Sequence, residues 1–174
     1  MTTSDYHVPF HTQIIRLVMR VIFRLLFNLL SQPVVQGLEN VPSEGAYLIA
    51  INHVSLYEAP FILAYWPKPP EAAGAVDIWS RPGQSLLARL YGGIQVHRGK
   101  YDRKLIETML SALKSGRPLV IAPEGGRSHT PGMRRASPGA PYIIDQAGVS
   151  VIPVGVSGAT DDFLTLALRG KQPK

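Results

Sequence analysis

Tyr47-Leu48-Ile49-Ala50-Ile51-Asn52-His53-Val54-Ser55-Leu56-Tyr57-Glu58 decides how this chain folds. Its first five residues are apolar without interruption, and the sequence then turns polar at Asn52-His53. A short apolar run of this kind reads as a buried strand, and its tip delivers the histidine to a cleft. The design recurs at Pro118-Leu119-Val120-Ile121-Ala122-Pro123-Glu124-Gly125-Gly126-Arg127-Ser128. Here an apolar strand runs into a turn with a carboxylate, two glycines, a guanidinium and a hydroxyl. Two strand tips of complementary chemistry predict one site at one edge of one sheet.

Outward from these strands, strand-like and helix-like segments alternate. Val34-Val35-Gln36 reads as a short strand closed by Gly37, and Tyr57 to Tyr65 as a helix stopping before Pro67. Ala75 to Trp79 is a further predicted strand, Ser85 to Tyr91 a short helix ending at Gly92-Gly93, and Ile94 to Val96 a strand. Asp102 to Lys114 is amphipathic, with Asp102 as N-cap and Gly116 as its stop. Ser137-Pro138 opens another helix that ends at Gly148, and Val151 to Val156 is a third buried strand. The alternation predicts a single-domain α/β sandwich with a largely parallel or mixed sheet. Phe163 to Leu168 begins a new apolar element before the basic tail Arg169 to Lys174, an ending read as a domain incomplete at its C-terminus.

Composition narrows the chemistry. The chain has 174 residues, enough for one domain, and 45% hydrophobic against 17% charged residues marks it as globular. The absence of cysteine excludes disulfides, a thiol nucleophile and thiolate metal sites. A net charge of +6 points to an anionic partner. Nucleic acid is disfavoured as that partner, because no recognised motif appears and the basic residues are not interleaved with aromatics. A metallohydrolase using His53, Glu58, His97 and His129 is disfavoured as well, for want of a metal-ligand spacing.

Residues 1–33 read as a separate unit, an amphipathic helix in front of a domain over 34–174. Within it, Arg16, Arg20, Arg24 and Asn28 recur every four residues and form one polar stripe on an otherwise apolar helix, Ile14 to Leu30. Three arginines in seventeen residues make a poor transmembrane span. A basic stripe beside a wide apolar face suits the interface of an anionic membrane, where each arginine contributes about 1 kcal/mol. The plainer alternative is a helix packed on the domain with its arginines in water.

His53 is the natural general base, since imidazole exchanges its proton near neutral pH. Such a base needs a partner that fixes its tautomer. Glu58 can be that partner if His53 lies in the turn and Glu58 in the first turn of the helix; otherwise the two are a capping histidine and a surface glutamate. Glu124-Gly125-Gly126-Arg127-Ser128 reads as an anion site: glycines let the backbone approach a ligand, and Arg127 can grip phosphate with a bidentate fork. Glu124 is placed to orient that arginine or to accept from a substrate hydroxyl. Gly92-Gly93-Ile94-Gln95-Val96-His97-Arg98-Gly99 offers Arg98 as a second phosphate contact.

The blocks N-H-V-S-L-Y-E, G-I-Q-V-H-R, A-P-E-G-G-R-S and V-I-P-V-G occur in the order of the glycerol-phosphate acyltransferase superfamily. The chain resembles most of all its 1-acyl-sn-glycerol-3-phosphate acyltransferases, from Val34 to about Gly158. That resemblance implies transfer of a fatty acyl group from acyl-CoA or acyl-carrier protein to the free hydroxyl of lysophosphatidic acid, giving phosphatidic acid in phospholipid biosynthesis. It implies His53 as base and Glu58 as its orienting partner. Arg98 and Arg127 would hold the acceptor phosphate, with Glu124, Gly125, Gly126 and Ser128 in the acceptor-binding turn and Pro153 near an acyl pocket. No metal or organic cofactor is implied, and the expected location is the cytoplasmic face of a membrane. The N–H groups of Gly125 and Gly126 are candidate oxyanion donors.

Three positions depart from the family pattern. Glu58 stands for an aspartate, Gly126 for a threonine and Ala122 for a phenylalanine. The departures keep open another lysophospholipid or glycerol-3-phosphate as acceptor, and a catalytically weak lipid-binding protein on the same scaffold.

Overall fold

The computed structural model describes residues 6–128 and 134–171. In chain order the elements are α1 (Phe10–Leu30), β1 (Tyr47–Ile51), α2 (Glu58–Tyr65), β2 (Glu71–Ala75), α3 (Gln84–Tyr91) and β3 (Ile94–Val96). They continue with α4 (Arg103–Lys114), β4 (Leu119–Ile121), α5 (Gly139–Ala147), β5 (Ser150–Val154) and α6 (Phe163–Leu168). Among the described residues the strands form one five-stranded sheet in the order β3-β2-β4-β1-β5, every pairing parallel. The predicted α/β sandwich is therefore a parallel one.

The two strands that anchor the reading are neighbours. β1 pairs with β4 in the register Leu48 to Leu119, Ile49 to Val120 and Ala50 to Ile121. Side chains alternate across the sheet, so each strand feeds two cores. Tyr47, Ile49, Ile51 and Val120 pack with Ile62 and Trp66 on the α2 side. Leu48, Leu119 and Ile121 pack with Met109, Leu113, Ala140 and Ile143 from α4 and α5 on the other. Burial on both faces is why these strands carry no polar alternation. It also brings the two polar tips side by side at the carboxyl edge.

Several expectations shift. Val34–Gln36 is irregular, with no partner strand among the described residues. The strand expected at Ala75–Trp79 instead spans Glu71–Ala75, and Val76–Ser80 is a short 3₁₀ turn. β5 is an edge strand with Ser150, Val151 and Pro153 exposed, not a buried one; Pro is tolerated there because an edge strand has a free side. Asp102 caps α4 as expected, its Oδ1 accepting from Leu105 N at 2.9 Å. α5 begins at Gly139, one residue beyond Pro138, and Ser137 instead donates its backbone N–H to Pro123 O at 2.7 Å. His129 and residues 172–174 lie outside the described residues.

The largest correction concerns α1. Its polar stripe faces the domain. Arg16 is buried and forks onto Glu71 at the start of β2, with Nη1 to Oε1 and Nη2 to Oε2 both at 2.7 Å. Arg20 donates to Pro67 O at 3.0 Å, and Arg24 lies 5.2 Å from the Tyr65 ring centroid. Asn28 accepts from Tyr65 Oη at 2.7 Å. Arg117, at 2.5 Å, and Tyr6, at 2.8 Å, complete the shell around Glu71. Met19, Phe23 and Phe27 add an apolar contact to α2 and α6. The remaining face, from Phe10 through Leu17, Val21 and Leu25 to Leu29, is exposed. No described helix is long and apolar enough to cross a membrane.

Candidate active site

The turn between β1 and α2 places its side chains through one buried carboxylate. Glu58 begins α2 and is 1% exposed. One of its oxygens, Oε1, accepts the N–H groups of Val54 and of Ser55, the latter at 2.6 Å. Its other oxygen, Oε2, lies 2.9 Å from His53 Nδ1. A carboxylate at the first turn of a helix, accepting backbone donors, is favourably placed electrostatically. Here it also bends the 53–55 segment back so that the imidazole meets it. With Nδ1–H donated to Glu58, Nε2 is the ring atom left to exchange a proton; His53 is 21% exposed through its side chain.

The neighbouring tip is locked to the first. Glu124 is buried, and its two oxygens are occupied: Oε1 by His53 N at 3.1 Å and Oε2 by Arg134 N at 2.8 Å. It therefore clamps the β1–α2 and β4–α5 loops together through backbone N–H groups of each. Ser128 N donates to His53 O at 2.8 Å, closing the same junction. Gly125 sits at φ +68°, a conformation that favours glycine, and spends its N–H on Ala122 O at 3.1 Å. Of the two glycine N–H groups read as oxyanion donors, that one is taken. Asn52 ties the site to the third tip, giving Nδ2–H to Val156 O at 2.9 Å and accepting Val156 N at 2.7 Å.

The arginines gather at this edge. Arg98, just past β3, and Arg134 both approach Gly126. Arg127 pairs with Asp161 at 2.9 and 3.2 Å through Nη1. His97 is turned away toward Asp102 at 3.4 Å. The structure thus unites His53, Glu58, Glu124, Gly125, Gly126, Arg127, Ser128 and Arg98 as one cluster. Asp161 and Arg134 were missed by sequence reasoning. Arg134 stands ten residues beyond Glu124, and nothing in that spacing shows the chain returning to it.

Beside the cluster, between the end of α1, α2 and the segment after β5, lies a pocket of about 150 Å³. Phe27, Phe61, Val156, Ala159 and Phe163 supply its apolar lining. Among the described residues no three His, Asp or Glu side chains group as a metal-binding set.

The stretch that carries the histidine at one strand tip and the glycine turn with arginines at the next matches a known family. The family model described as Acyltransferase matches residues 32–157. The chain belongs to the acyltransferase family. Its matching region contains both strand tips and stops one residue beyond Val156. Among acyltransferases with solved structures, it resembles the 1-acyl-sn-glycerophosphate (LPA) acyltransferase of Thermotoga maritima, with a TM-score of 0.67 and 24% identity over 82% of this chain and 57% of that one. A curated relative, the lyso-ornithine lipid O-acyltransferase of Pseudomonas aeruginosa, is 32% identical over 111 residues. That match covers 63% of this chain and 42% of the relative, so the chain spans well under two thirds of either protein. The resemblance to the glycerol-phosphate acyltransferase superfamily, first seen in four short blocks, thus extends to the whole parallel sheet.

Proposed function

We propose that this chain transfers a fatty acyl group from the thioester of acyl-CoA or acyl-carrier protein to the free hydroxyl of 1-acyl-glycerol-3-phosphate, forming phosphatidic acid. The observation that carries this reading is the 2.9 Å contact between His53 Nδ1 and the buried Glu58 Oε2. It sets the tautomer in which Nε2 takes the hydroxyl proton. The hydroxyl oxygen then attacks the thioester carbonyl, and a tetrahedral oxyanion forms. Its collapse breaks the carbon–sulfur bond. The imidazolium, held by Glu58, returns its proton to the leaving thiolate, so the products are an ester and a thiol. The acceptor phosphate is read as held by Arg98, with Arg127 in the adjoining turn paired to Asp161, and the apolar pocket behind the strand tips suits an acyl chain.

The reading places α1 flat on the cytoplasmic face of a membrane. Its support is the orientation of the helix: polar stripe inward, apolar face exposed among the described residues. A second acceptor, a lyso-ornithine lipid, is favoured by the likeness to the Pseudomonas aeruginosa relative.

Acyl transfer from acyl-CoA and from acyl-carrier protein to each lysolipid in micelles tests the reading. Wild type is expected to form diacylated product, and His53→Ala to lose about 10²–10⁴ in rate. Wild type that transfers from neither donor to either acceptor refutes it.

A further inference from the structure

Three guanidinium groups meet at the turn after β4, and they are not equivalent. Arg127 is neutralised by Asp161, whose two oxygens it contacts at 2.9 and 3.2 Å. Arg98 makes no ion pair among the described residues. Among the described residues the Arg134 side chain donates to one backbone carbonyl, Nη1 to Arg127 O at 3.3 Å, while its backbone N–H anchors it to Glu124. Two cations without acidic partners therefore stand at the site, and one of them is outside the four sequence blocks.

Gly126 is what lets them approach. A Cβ built there would stand 3.3 Å from Arg134 Nη1 and 4.0 Å from Arg98 Nη1. The first distance is tighter than a side chain normally tolerates. Gly126 does not adopt a left-handed φ, so the backbone makes no demand for glycine; a side chain there would instead displace the Arg134 guanidinium. The family pattern has threonine here. In this chain the volume of that side chain is given to a guanidinium.

We propose that Arg134 binds the acidic headgroup of the acceptor together with Arg98, in the space left open over Gly126, while Asp161 holds Arg127 at the margin. The ligand chemistry is an oxyanion that takes a planar N–H fork, phosphate or carboxylate. The proposal deepens the acyl-transfer reading and takes from it the identity of the ligand as an acceptor headgroup.

Binding separates the two ideas, because it needs no turnover. The full chain, Arg134→Ala and Gly126→Thr would be titrated with nonionic micelles doped with lysophosphatidic acid, with an N-acyl amino acid, or with neutral monoacylglycerol. Both variants are expected to bind one or both acidic micelles at least about tenfold more weakly, the loss of a charge-assisted contact. Binding to the neutral micelle should not change, and the acidic lipid that responds identifies phosphate or carboxylate. Gly126→Thr keeps Arg134 in the chain, so it guards against a folding defect of Arg134→Ala. Wild-type affinity for both acidic micelles in either variant overturns the proposal. Wild type that binds in an Arg134-dependent way yet transfers no acyl group refutes the acyl-transfer reading alone.

Discussion

Glu58 holds His53 and the backbone of the turn that carries it with the same carboxylate, Oε2 to Nδ1 at 2.9 Å and Oε1 to the N–H groups of Val54 and Ser55. Base orientation and loop shape are therefore one device. Glu58→Gln can satisfy at most part of it, because an amide offers one acceptor oxygen where the carboxylate offers two. Its kcat is expected to fall about 10²–10⁴-fold. Glu58→Asp is the sharper probe. A side chain one methylene shorter reaches either the backbone pair or the imidazole, so the variant should lose at least about tenfold in kcat while its acceptor KM stays close to that of wild type. Steady-state kinetics on folded protein check this. Equal kcat in wild type and Glu58→Asp would show that the histidine is oriented by something else.

How much of this could be read from the chain depends on where the determining contacts lie. β1 and β4 were legible because burial on both faces leaves an unbroken apolar run, and His53 and Glu58 are five residues apart. The strand at Glu71–Ala75 is expected four residues too late, at Ala75–Trp79: Glu-Ala-Ala-Gly-Ala has little strand propensity, and its pairing to β3 and β4 makes it a strand. Val34–Gln36 has the propensity and lacks a partner. The period of the α1 stripe was correct, but a period does not say which face meets the domain. That was decided by Glu71, 55 residues from Arg16. Asp161 and Arg134 belong to the same class of residue, joined to the site by tertiary contact alone.

The ionic cluster under α1 makes a prediction about acid. Burial works to raise the Glu71 carboxyl, and is outweighed by the hydrogen bonds and charge of Arg16, with Arg117 and Tyr6, so the group sits below its ordinary range. Its folded-state value is thus lower than its unfolded one. The stabilisation is fully present above the unfolded carboxyl value of about 4.3 and is lost as pH falls through the lower folded value. Glu71→Gln should cost about 3–5 kcal/mol at pH 7, because Arg16 is left buried without its counter-charge. It should also flatten the fall in stability below about pH 4.5. Urea unfolding between pH 7 and pH 3 measures both. A Glu71→Gln curve parallel to wild type through the acid range would show that Glu71 is not the titrating group.

The inverted helix leads to the last expectation. Leu25 is 64% and Leu29 76% exposed, and both lie on the face of α1 that no described residue covers. Arg16, on the opposite face, is fixed to Glu71 and is not available to lipid. Membrane association should therefore follow apolar insertion by α1 more than its arginines. Leu25→Glu with Leu29→Glu is expected to lower vesicle co-sedimentation at least about tenfold, since each leucine buried in the interface is worth about 1.5–3 kcal/mol. The unfolding free energy should change by no more than about 0.5 kcal/mol, as for other surface substitutions. Arg16→Met should do the reverse, lowering stability by uncovering one side of Glu71 while the apolar face keeps its affinity wherever the helix stays docked. Vesicle binding and urea unfolding, measured on both variants, separate the two faces. Undiminished co-sedimentation of the double glutamate variant would assign the membrane contact to another surface.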